Sequence, residues 1–147
     1  MTIDALQDLK VVSANPAATI AVWLTVAGDQ NGATIDTLGY ASVTFVFGFG
    51  GYSSGAANFF LDESDDGTTW TAVPVASLRN RSATAAATAG LLGTIVTANG
   101  KAIHVGVLTQ KRYYRMRQGN SSTPTGSGSA MAILANGTNR PAALTAW

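Results

Sequence analysis

Apolar and polar residues alternate along much of this chain with a period of two. Between residues 40 and 49, Ala41, Val43, Phe45, Phe47 and Phe49 fall on one face of an extended segment. Tyr40, Ser42, Thr44, Val46 and Gly48 fall on the other. Alternation rich in β-branched and aromatic residues predicts a half-buried strand. A second strand is predicted over Ala57 to Glu63, with Ala57, Phe59 and Leu61 on one face, and a third over Thr68 to Val73 around Trp70. Ala21 to Val26, Thr94 to Thr97, Ala102 to Leu108, Arg112 to Gln118 and Ala130 to Ala135 read the same way. About eight short strands with Gly, Asn, Asp or Pro between them predict an all-β, single-domain sandwich, with a jelly roll as the preferred form. The order of strands is not contained in this pattern.

Helical periodicity is weak throughout. Residues 3 to 12, with Ile3, Leu6, Leu9 and Val12, fit a short helix or an extended arm. The 147 residues suit one compact domain. They divide into an N-terminal arm (1–19), a β-sandwich (20–136) and a C-terminal arm (137–147). Ser82 to Gly90 and Gly119 to Ser129 have the composition of surface loops. Gly48, Gly50, Gly51 and Gly55 do not open a helix, so no dinucleotide site is implied; a bulge or a loop tip is expected there. The chain ends in Trp147, a large apolar group that docks either on its own domain or in a neighbour.

Composition narrows the function. Cysteine is absent, which removes disulfides, thiolate metal sites and a cysteine nucleophile, and fits folding in a cytoplasm. The first ten residues carry two acids before their only base, unlike a secretion signal. Pro16 to Gly28 is too short and too rich in threonine to span a bilayer. A soluble chain with no membrane partner is expected. Only 12% of residues are charged against 46% hydrophobic. Such scarce charge suits a surface partly covered by other subunits, or else a neutral Thr/Ser-rich β surface.

The charges are ordered. All eight acids lie at or before residue 66 and eight of the nine cations lie after it, so residues 1–66 carry −7 and the remainder +8. This suits opposite faces that pair within the chain or between copies. Lys111, Tyr113, Arg115 and Arg117 share one face of a predicted strand. Arginines interleaved with aromatics can hold a nucleic acid. The upstream carboxylates would repel it, so a cross-strand ladder to Asp or Glu is the favoured reading and nucleic acid is not an expected partner.

Asp62 to Trp70 (DESDDGTTW) begins like a calcium loop, with Asp62, Ser64 and Asp66 at alternate positions before Gly67. The position that needs a bidentate Glu is Val73. A tight turn at Asp66-Gly67 is therefore expected and a metal is not. No catalytic residue or cofactor is expected either. The lone His104 lies in an apolar strand pattern, the carboxylates cluster on one turn, and no nucleophile elbow or phosphate loop occurs.

Ser64, Asp66, Gly67 and Trp70 resemble the S-x-D-G-x-x-W structural hairpin of discoidin-type carbohydrate-binding sandwiches. That alternative implies a sugar platform of exposed aromatics such as Trp23, Tyr40 or Tyr52. A wider pattern joins SVTFVFGF, FFLDESDDGTTWTAV and KRYYRMR across residues 40 to 118. It resembles small virion proteins of tailed bacteriophages and prophages. The resemblance implies a structural role in the virion: a capsid decoration (cement) protein on the major capsid protein lattice, or a tail or head–tail junction protein. Expected contacts are the N-terminal Ile3, Leu6 and Leu9, the basic Lys111, Arg112, Arg115 and Arg117, and Arg140 and Trp147 of the tail. Head-to-tail contacts close only with cyclic symmetry, so a homo-oligomeric ring, a trimer, is the expected assembly.

Overall fold

The computed structural model describes residues 9–14, 29–54, 57–79, 91–95, 102–119 and 125–137. In these segments the chain forms β1 (Lys10–Ser13), β2 (Gln30–Asn31), β3 (Ile35–Asp36), β4 (Tyr40–Ser54), β5 (Ala57–Ser64), β6 (Thr71–Ala72) and β7 (Leu78–Arg79). It continues with β8 (Leu91–Ile95), β9 (Ala102–Leu108), β10 (Tyr113–Gly119) and β11 (Thr125–Gly137). A single 3₁₀ turn, Val75–Ser77, precedes β7.

Two antiparallel sheets result. One runs β1-β11-β4-β9-β7; the other runs β2-β10-β5-β6, with β3 also on β10 and β8 also on β5. The first strand lies beside the last, and the last beside β4. The strand after β4, β5, lies in the second sheet beside the penultimate strand, β10. This is jelly-roll-like order, in which the chain passes back and forth between the layers, except that β2–β3 and β5–β6 each stay in one.

Alternation explains the core. Val43, Phe45 and Phe47 of β4 point inward, as do Ala130, Ala132 and Leu134 of β11. Phe59 and Leu61 of β5 and Tyr114 and Met116 of β10 meet them from the other sheet. The rings of Phe47 and Phe59 join the two layers, 4.4 Å apart between centroids. Each such buried aromatic contributes about 2–3 kcal/mol through area removed from water. β11 makes room with Gly128: a Cβ there would lie 2.4 Å from Cζ of Phe47.

Several elements differ from the sequence expectation. Thr68 to Val73 is not a six-residue strand; only Thr71–Ala72 pairs, because Asp66 takes the N–H groups of Thr68 and Thr69. The loop expected over Gly119 to Ser129 gives way at Thr125, where β11 begins, since β4 runs on to Ser54 and offers it a partner. For the same reason Gly48, Gly50 and Gly51 are strand residues; the register shifts between Ser127/Gly50 and Thr125/Ser54, with the extra residues on β4, so a bulge does fall beside Gly50 and Gly51. Lys10–Ser13, within the N-terminal arm, is the edge strand on β11. Expected elements at Ala21 to Val26, Ser82 to Gly90 and residues 96–97 lie outside the described residues.

Candidate functional site

The outer face of the second sheet carries the charge. On β5 the inward positions are Phe59, Leu61 and Glu63, which leaves Phe60, Asp62 and Ser64 facing out. On β10 the inward positions are Tyr114, Met116 and Gln118, which leaves Tyr113, Arg115 and Arg117 facing out. The antiparallel register sets Tyr113 opposite Ser64, Arg115 opposite Asp62 and Arg117 opposite Phe60. Arg117 Nε donates to Asp62 Oδ2 at 3.0 Å, and Arg115 approaches the same oxygen at 3.4 Å. Asp62 is only 6% exposed, so two guanidinium groups hold one buried carboxylate.

Aromatic rings complete the ladder. Arg117 lies 4.4 Å from the ring centroid of Phe60 and Arg115 lies 4.2 Å from that of Trp70. Arg112 lies 4.9 Å from Tyr113. Each cation thus has a carboxylate and a π face, an arrangement that fixes long side chains in place. At the margins, Arg117 Nη1 pairs with Asp29 at 3.1 Å, Arg112 Nη2 with Asp36 at 2.9 Å, and Lys111 with Asp65. The Arg112 guanidinium holds the Asp36 carboxyl below its ordinary range, and Asp36 in turn raises Arg112. Asp65 likewise raises Lys111.

The turn above the ladder is built from its own side chains. Ser64 Oγ accepts the N–H of Gly67 at 2.9 Å and donates to Asp66 Oδ1 at 2.9 Å. Asp66 Oδ1 accepts the N–H groups of Thr69 and Thr68 at 2.7 and 2.8 Å. These donors, Thr69 first, hold the Asp66 carboxyl far below the usual carboxylate range. Gly67 has φ +74°, a left-handed conformation that suits glycine. The ring of Tyr113 lies beneath it at 3.6 Å from the position a Cβ would take. Trp70 stands beside the turn, over Arg115.

Glu63, Ser64, Asp65, Asp66, Thr71 and Lys111 border an open depression of about 320 Å³ at this end of the sandwich. Burial raises the Glu63 carboxyl above its ordinary range, opposed by Lys111 and by a hydrogen bond with Tyr114. The Tyr114 hydroxyl accepts the N–H groups of Gln110 and Lys111 at 2.9 and 3.1 Å, which closes the β9–β10 connection. Among the described residues, no three His, Cys, Asp or Glu side chains group as a metal site.

The structure brings Lys111, Arg112, Arg115 and Arg117 together on one face, and all four pair with acids of the same chain. Of the two pairings the charge order suits, within the chain or between copies, these cations are engaged within the chain. Leu9 is exposed just before β1. Ile3, Leu6, Arg140 and Trp147 lie outside the described residues, as does Trp23. Tyr40 is half-buried and packs partly against the core. His104 is exposed on β9, turned away from the core.

The sequence reading missed the outer face of the first sheet. Val11, Met131 and Leu108 are 63%, 44% and 52% exposed there. The available signal was that β11 is apolar at both parities, Met131 and Ile133 as well as Ala132 and Leu134. A sandwich strand with one solvated face is expected to alternate.

No known protein family matches the chain, and no curated protein does. Its fold is similar to the crystal structure of the SPBc2 prophage-derived protein YomS. The TM-score is 0.55 at 11% identity, over 88% of this chain and 94% of that one. At that identity the likeness is one of fold. Among the described residues no helix is long and apolar enough to cross a membrane.

Proposed function

We propose that this chain is a structural protein of a bacteriophage virion, and more narrowly a capsid decoration protein that binds the major capsid protein lattice. The supporting observation is the shared jelly-roll-like fold with a prophage-derived protein over most of both chains. The residues that carry the virion resemblance, Asp62 to Trp70 and Lys111 to Arg117, lie together as paired strands and their turn. The role is to bind, with no chemistry of its own. A rigid sandwich fits that role, because repetition over a shell multiplies a weak contact through avidity. A homotrimer is the assembly proposed.

The test uses particles of the phage that encodes the chain. Antibody-labelled chain on intact particles should decorate the shell in electron microscopy, and purified chain should co-sediment with shells that lack it. Label confined to the tail or the head–tail junction would move the protein within the virion. No association with any particle would end the virion reading. The oligomer is read separately, by sedimentation equilibrium.

A further inference from the structure

We infer that the outer face of the β1-β11-β4-β9-β7 sheet is the surface that docks on the partner, a protein patch apolar at its centre and carboxylate-bearing at one margin. This rests on the virion reading above and names the contact within it. The register builds the face row by row. Val11 lies beside Ile133, Ile133 beside Thr44, Thr44 beside Gly106, and Gly106 beside Arg79. In the next row Ser13, Met131, Val46 and His104 are neighbours. Leu108 lies across Ser42 from Ala135. Among the described residues of this face there is no carboxylate.

The contrast with the opposite face is what carries the inference. The pairs of Lys111 with Asp65, Arg112 with Asp36, Arg115 and Arg117 with Asp62, and Arg117 with Asp29 lie on the side of the other sheet, where every ladder cation has its acid. The first sheet instead leaves Val11, Leu108 and Met131 in water on three different strands. The residues between them, Ser42, Thr44 and the buried Gly106, are small. The twelve outward positions named above, on strands about 4.8 Å apart with outward rows roughly 7 Å apart, cover on the order of 400 Å², polar and apolar together. The largest apolar patch of a monomer is often functional, and the exposed Val11, Leu108 and Met131 lie within this area. A standard stable interface buries about 800 Å² per partner, so one such contact is weak and gains from repetition over a lattice.

Arg79 selects the occupant. It is exposed at the β7 edge of the patch, and its guanidinium donates only to the carbonyls of Ala76 and Leu78. No carboxylate among the described residues pairs with it. A second copy packed face to face brings the same surface, which among its described residues holds no carboxylate to meet either Arg79. Packing against a copy's ladder face would desolvate ion pairs already made, a cost with no compensating partner. A different protein with apolar residues opposite Met131 and an acid opposite Arg79 satisfies both demands.

The test compares Val11→Glu, Leu108→Glu, Met131→Glu and Arg79→Glu with Asp65→Lys on the opposite sheet, as full chains checked for unchanged melting. The probe is shells of the encoding phage that lack the chain. At least a tenfold loss of co-sedimentation for the three apolar-to-Glu variants supports the inference, as does a smaller, salt-sensitive loss for R79E, with D65K binding as wild type. Because the substitutions lie on three strands, one misfolded variant leaves two to decide. Face variants that bind as wild type overturn it, and so does a loss confined to D65K; both leave the virion reading standing. Wild type that dimerises through this face, with M131E monomeric yet still shell-bound, also overturns it. Wild type that never sediments with shells defeats the virion reading and this inference together.

Discussion

Arg117 reaches diagonally across the β5–β10 ladder to Asp62: it is registered opposite Phe60, yet its Nε donates to Asp62 Oδ2 at 3.0 Å. The guanidinium therefore spans a ring and a carboxylate, and Arg115 approaches Asp62 from its own register position. Asp62 is the shared acceptor of the face.

Replacing Asp62 with Ala should consequently be costly. Arg115 and Arg117 would lose their common partner while remaining partly buried. Breaking a buried pair costs about 3–5 kcal/mol, and the partial exposure of both arginines puts this case toward the lower end. Urea unfolding measures it, and a loss below about 1 kcal/mol would contradict the role given to Asp62.

Tyr114→Phe keeps the ring and deletes the acceptor for the N–H groups of Gln110 and Lys111. Leaving such donors unpaired costs about 1–3 kcal/mol. It also removes the hydrogen bond that lowers the Glu63 carboxyl, so Glu63 should titrate still higher. Carboxyl carbon shifts in NMR read the second effect independently of the first.

Gly128→Ala places a methyl group against Phe47, whose ring is held by Phe59. Overpacking of this kind costs about 1–3 kcal/mol. A thermal melt should fall, and the resonances of Phe47 and Phe59 should move together. A melt equal to wild type would mean that the two sheets part more easily than the core suggests.

The acids on this sheet pull the pH dependence in opposite directions. Glu63 is raised on folding, so the folded chain holds its proton longer. Its contribution is fully present below the ordinary carboxylate value and is lost as pH rises through the raised one. Asp36 and Asp66 are lowered, so their contributions are present above the ordinary value and lost as pH falls toward the lowered ones. Glu63→Gln should remove the decline on the neutral side and leave the acid-side loss in place. Denaturant midpoints across the acid-to-neutral range decide this; an unchanged profile on the neutral side would count against the burial of Glu63.

Strand identity was legible wherever one face of a strand is buried, because a period of two then appears directly in the residues. The alternation from Val43 to Phe47 and from Tyr114 to Gln118 states which side faces the core. The Asp66-Gly67 turn was equally local, since the side chains that hold it lie within six residues of one another. Thr68 to Val73 misled because its apolar pattern carries no sign that Asp66 removes two of its backbone donors. Gly119 to Ser129 misled because glycine and serine in a loop and on the flat side of a long ribbon are the same residues.

Sequence order alone settled that this chain folds as layered β-structure and that its acids precede its cations, because both depend on neighbours along the chain. Which acid meets which cation depended on β10 lying between β5 and the β2–β3 edge, a contact between residues up to 88 apart. That same topology gathered the ion pairs on one face and left Val11, Leu108 and Met131 exposed on the other. Local periodicity records only that a residue points outward; what stands beside it on the surface is decided by the strands that fold in from elsewhere.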